Sequence, residues 1–168
     1  MKLTTWLPLS FFLFCATAVA NDTFEFPPAS VTWASPENYR DVRSSSGSQP
    51  RFQQQVFENL SEYFGDMARI YLAPDQTLNI KVNNLDLAGD IRYGAETGQK
   101  IRILTSISAP SISFSYQIRQ GETAMKSDTV RLTNLNYQAS VWGMGRSRVL
   151  AYEKQLIHDW ARKSLRNH

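Results

Sequence analysis

Apolar residues change their spacing along this chain. Phe52, Val56, Phe57, Leu60, Tyr63, Phe64, Met67 and Ile70 recur at the intervals of one helix face, which predicts an amphipathic helix over about 50–71. Ser48 and Pro50 suit its start, and Ala73-Pro74-Asp75 stops it. The period then falls to two. Leu78, Ile80 and Val82 alternate with Asn79, Lys81 and Asn83, and Leu85-Asp86-Leu87 continues the run. Residues 89–98 read as a polar break. Ile101, Ile103 and Ile107 mark a further strand ending at Pro110. Ile112, Phe114, Tyr116 and Ile118 alternate with Ser113, Ser115, Gln117 and Arg119, the clearest half-buried strand. Gln120-Gly121-Glu122 is a hairpin turn into a strand near 124–133 that carries Val130 and Leu132.

At the front of the chain, residues 21–29 predict an extended arm, and Ser30 to Trp33 an edge strand closed by Ser35-Pro36. Ser44-Ser45-Ser46-Gly47-Ser48 is a loop by composition. Residues 134–146 look irregular. A closing helix is expected over about 147–166, with Val149, Leu150, Leu156, Ile157 and Trp160 on its apolar face. The predicted fold class is α+β: an antiparallel sheet of four or five strands with both long helices on one face. Residues 30–168 form one domain, and such a sheet leaves its polar side, Ser113, Ser115 and Gln117, open to a partner.

Residues 1–20 do not belong to this pattern. Lys2 precedes an apolar run over 7–16, and Ala18-Val19-Ala20 is a small-x-small cleavage site, so they read as a secretory signal peptide. The run is shorter than the ~20 residues of a membrane span. Phe14 before Cys15 does not suit lipid attachment. Cleavage after Ala20 sends the product to a periplasm or outside the cell.

Composition then changes the picture in two ways. The chain has 168 residues, 18 basic and 15 acidic side chains, and one cysteine. Removing residues 1–20, whose only charge is Lys2, leaves 17 basic against 15 acidic side chains, net +2, and no cysteine. Folding then rests on the apolar core, since there is no disulfide and no thiolate metal site. Charge is also uneven: residues 144–168 carry six basic and two acidic side chains, hence net +4, against −2 for residues 21–143.

Candidate chemistry is sparse. His158 and His168 are the only histidines. His168 ends the chain, and His158 and Asp159 leave their helix about 100° apart, so they do not form a triad pair. No nucleophile elbow, zinc-protease motif or phosphate loop is present. No catalytic residue, metal or cofactor is assigned. Asp41, Asp86 and Asp90 are the acids outside helix surfaces, and two such carboxyls suffice for hydrolysis; the plainer role of Asp86 is solvent exposure or an ion pair. A binding role falls on Tyr137 and Trp142, with Met144, as an exposed apolar patch, unless these pack the loop over the sheet edge. It also falls on Arg162, Lys163 and Arg166, which could meet an envelope protein or an anionic membrane surface, or serve only the helix dipole and solvation. Nucleic acid is not expected as a partner.

Several segments, in one order, resemble the bacterial family catalogued as domain of unknown function 3016. They are Val31-Thr32-Trp33 with Asp41-Val42-Arg43, the stretch ending in Asp86-Leu87-Ala88-Gly89, Ala109-Pro110-Ser111-Ile112, Leu135-Asn136-Tyr137, and Tyr152-Glu153-Lys154 with Asp159-Trp160. They span about 30–165. The resemblance implies a secreted single domain and no catalytic residues. The leading expectation is a non-catalytic accessory or binding domain of the cell envelope; the rival is a carboxylate-based envelope hydrolase.

Overall fold

Two periods in the sequence, helical and strand-like, meet in one core. The computed structural model describes residues 21–140 and 149–166. β1 (Asp22–Phe26) and β2 (Ala29–Trp33) precede a 3-10 turn at Pro36–Asn38 and α1 (Gln49–Tyr71). β3 (Gln76–Asp86), β4 (Asp90–Tyr93), β5 (Lys100–Ile103), β6 (Ser111–Gln120) and β7 (Thr123–Thr133) follow. The one-turn α2 (Tyr137–Ser140) and α3 (Ala151–Ser164) close the described chain. One five-stranded sheet runs β1-β2-β3-β6-β7, and β4 and β5 pair separately.

The fold is α+β and its sheet is mostly antiparallel, with one parallel pair, β2 with β3. That pair follows from connectivity: the chain leaves β2, crosses the sheet as α1, and re-enters β3 in the same direction. α1 lies over β1 and β2, α3 over β6 and β7, and the helices pack on each other. Both therefore cover one face. Trp33 stacks on Phe57 at 4.3 Å between ring centres. Trp160 meets Phe64, Phe114 and Tyr116 edge-on, joining α3 to α1 and β6.

Several expectations need correction. Residues 22–26 are a paired strand, because Phe24 and Phe26 alternate with Thr23 and Glu25 and turn their rings toward the helices. β2 is thereby an inner strand, with β1 at the edge. The supposed polar break contains β4, whose hairpin with β5 stands apart from the core. Ile101 and Ile107 are accordingly exposed, and Ile107 is not in a strand. Ile70 is also exposed, while Ser61 is buried on α1 because its Oγ accepts the Trp33 Nε1 hydrogen bond at 3.0 Å. α3 begins at Ala151 rather than near 147, and Val149 is exposed.

Between Val82 and Asn84 the β3–β6 register slips. Buried positions change there from Leu78, Ile80 and Val82 to Leu85 and Leu87. A β-bulge does this by adding one residue to a strand. It leaves Asp86 on the open side of the sheet.

Candidate functional site

Where β3 ends, two other parts of the chain converge on Arg102 of β5. Its Nη1 donates to Asp41 Oδ2 at 2.7 Å and to the carbonyls of Gly89 and Ala88 at 2.9 and 3.3 Å. Its Nη2 donates to the carbonyls of Arg43 and Asp41 at 3.0 and 3.2 Å. One guanidinium thus gathers the 41–43 loop and the 88–89 turn. Gly89 makes the close approach possible: its φ is +80°, and a Cβ there would stand 2.5 Å from the Ile103 carbonyl oxygen.

Glu153, in the first turn of α3, closes the far side. Its Oε1 accepts the Ala88 N–H at 2.8 Å, and the residue is buried. Burial pushes its carboxyl pKa up, against the Ala88 hydrogen bond and the nearby Arg102 charge. Tyr137 packs beside it: buried, edge-on to Tyr152 at 4.8 Å, with its hydroxyl donating to the Thr105 carbonyl at 2.9 Å. The expected exposed apolar patch therefore does not include Tyr137, which ties α2 to Thr105 and to Tyr152 of α3. Trp142 and Met144 lie outside the described residues.

Neither Arg102 nor Glu153 stood out in the sequence as a site residue. Arg102 is one cation between two isoleucines, and Glu153 one acid on a charged helix. The available signal was that Asp41-Val42-Arg43, Asp86-Leu87-Ala88-Gly89 and Tyr152-Glu153-Lys154 occur together in the family resemblance. In space these three segments meet.

The three candidate acids are brought together. Asp41, Asp86 and Asp90 line one polar cleft of about 400 Å³ with Arg40, Arg43 and Ser108. They are not equivalent. Asp41 is paired with Arg102, and Asp90 accepts the Ser108 hydroxyl at 2.5 Å and lies 3.6 Å from Arg92. The Asp86 carboxyl has no hydrogen-bond partner among the described residues, and its pKa is raised, first by burial and then by Asp41. Among those residues, no group of three His, Cys, Asp or Glu has the geometry to hold a metal ion.

Arg162 and Lys163 in the last turn of α3, and Arg166 just beyond it, are exposed. Arg162 approaches Asp159 only to 3.9 Å. His158 Nδ1 comes within 3.5 Å of Asp159 Oδ1, closer than the helix geometry suggests, yet makes no hydrogen bond among the described residues. His168 lies outside them.

The uncovered sheet face carries the longest ordered arrangement of polar groups. Register places Glu25, Ser30, Asn79, Gln117 and Ser127 in one row across all five strands. Thr23, Thr32, Lys81, Ser115 and Thr129 form a second. Neighbours within a row bond to each other, as Ser30 Oγ to Glu25 Oε1 at 2.6 Å and Gln117 Nε2 to Ser127 Oγ at 3.2 Å. No helix covers this face among the described residues.

Comparison with known proteins finds no matching curated protein and no matching solved structure. A family model described as "Protein of unknown function (DUF3016)" matches residues 28–163. That stretch includes nearly every element of the fold and all the segments that meet at Arg102, and so the chain belongs to the DUF3016 family.

Proposed function

We propose that this chain is an exported, non-catalytic binding domain of the cell envelope, which lays an envelope glycan across the uncovered sheet face. One observation carries the reading: two five-residue rows of hydroxyl, amide and isolated charged groups on a face that no other element covers among the described residues. Strands stand about 4.8 Å apart, so each row extends roughly 19 Å. Such a surface offers many modest hydrogen bonds to an extended partner with hydroxyl and amide groups. Its hollow of about 570 Å³ between Thr32, Asn79, Lys81, Ser115 and Gln117 is broad and open, which suits an extended partner better than a small substrate. Export rests on residues 1–20, whose charge, apolar run and small-x-small ending suit a signal peptide.

The hydrolase reading would require two available carboxyls, one to donate and one to accept a proton. Asp41 is committed to Arg102, and Asp90 to Ser108. Asp86 would stand alone, which favours binding over turnover. A basic surface at Arg162, Lys163 and Arg166 remains a second contact region for an anionic membrane or an acidic envelope protein.

Sedimentation with purified insoluble cell-wall glycan tests the proposal. The protein should co-sediment, and the double variant Asn79→Ala, Gln117→Ala should lose at least about tenfold in affinity while keeping its circular dichroism, since each lost contact contributes about 1 kcal/mol. Equal binding by the double variant would sink the sheet-face assignment. Glycan turnover abolished by Asp86→Asn would sink the non-catalytic one.

A further inference from the structure

A second region, remote from the sheet face, has the make-up of a ligand site. Beside the N-terminal end of α3, a hollow of about 340 Å³ lies between Arg43, Leu87, Leu104, Leu150 and Glu153. Another of about 450 Å³ lies between Phe52, Val56, Val149 and Leu150. Phe52 and Leu150 line both, so the two hollows adjoin across these side chains and together make a bent trough. Its walls are mainly aliphatic and aromatic, and Leu104 and Val149 remain 43% and 68% exposed. Hollows of this size suit small ligands.

Charge along the groove is uneven. Arg102 spends its donors on Asp41 and on backbone carbonyls. Glu153 at the floor is buried and tied to the Ala88 N–H. Arg43, which also lines the cleft of Asp41, Asp86 and Asp90, stands at the mouth with no hydrogen-bond or ion-pair partner for its guanidinium among the described residues. The first turn of α3 adds the positive end of its dipole to the same wall. At the other end stands an exposed acid, Glu58. An apolar trough that is cationic at one end and acidic at the other matches an amphiphile with an anionic head.

We propose that this groove binds a free single-chain fatty acid, its carboxylate at Arg43 and its hydrocarbon along Leu104, Phe52, Leu150 and Val149. The exposed Arg162, Lys163 and Arg166 lie toward the opposite end of α3, roughly 20 Å away along a helix of this length. The site therefore takes one chain from solution rather than docking on a membrane. This inference does not depend on the glycan proposal, because the two surfaces share no residue.

Delipidated full-length protein should be titrated with the fluorescent fatty acid cis-parinaric acid and then displaced with oleate, oleyl alcohol or dodecyltrimethylammonium. Saturable, oleate-displaceable binding is expected. Arg43→Gln should weaken oleate about tenfold, the usual scale for one charge-assisted contact, and leave oleyl alcohol unchanged. Leu104→Glu, at an exposed wall position, should weaken both with no change in circular dichroism. Asn79→Ala, Gln117→Ala should bind oleate as the wild type does. Absence of displaceable binding overturns the proposal. So does equal oleate affinity in Arg43→Gln, tighter binding of the cationic amphiphile, or association with anionic vesicles alone.

Discussion

Glu153 shows how much one side chain depends on its surroundings. Its neighbours in sequence mark it as an ordinary helix-surface acid, yet the fold buries it against the 88–89 turn. Burial holds the carboxyl above its usual 4.5, so the folded chain retains a proton that the unfolded chain releases. The resulting stabilisation is complete below about pH 4.5 and is lost as pH rises through the folded ionisation. Glu153→Gln keeps an acceptor for Ala88 but cannot ionise. Wild-type stability should therefore fall relative to the variant as pH rises from about 4 to 8, read from urea midpoints at each pH. Parallel profiles would contradict this. Ser61 makes the opposite case. It is a small polar residue that goes inside because the Trp33 indole needs an acceptor, and Ser61→Ala should cost about 1–3 kcal/mol by leaving that donor unmatched.

Among the elements, α1 was the most legible, since apolar residues at helical spacing over six turns leave little alternative. β6 was equally clear from strict alternation. β5 is marked by Ile101 and Ile103, but β4 is not, because a four-residue strand with a half-buried Ile91 and an exposed Tyr93 carries no inward-facing pattern. β1 does not read as a strand for a related reason: five residues before a proline pair look like an arm until β2 is there to pair with. Its packing on α1 depends on Gly65, where a Cβ would stand 2.7 Å from both the Cβ and the carbonyl oxygen of Phe26. Alanine there would gain about 1 kcal/mol in helix propensity but lose about 1–3 kcal/mol to overpacking against backbone. Gly65→Ala should lower the urea midpoint, with loss of amide protection concentrated in β1. A higher midpoint would show that β1 can shift at no cost.

At the scale of the whole molecule, Arg102 joins what the sequence separates: the loop after β2, the turn after β3, and the β4–β5 hairpin. Arg102→Met would strand Asp41 and three carbonyl-bearing residues in a half-buried site, at a cost of about 3 kcal/mol. Amide exchange in β4 and β5 should rise before that in the five-stranded sheet; uniform loss of protection would mean the hairpin is not an independent unit. The sequence by itself determined both long helices, the longer strands, the α+β class, the polar alternation of the open face and the family, because these follow from local period and from motif order. Only the tertiary structure decided that β2 is internal and parallel to β3, and that a bulge turns Asp86 outward. It alone placed Asp41, Asp86 and Asp90 around one cleft and Arg43, Phe52 and Glu153 around another. Those placements depend on contacts between residues dozens of positions apart. No local period records them, because the energy that selects them appears only when the helices close on the sheet.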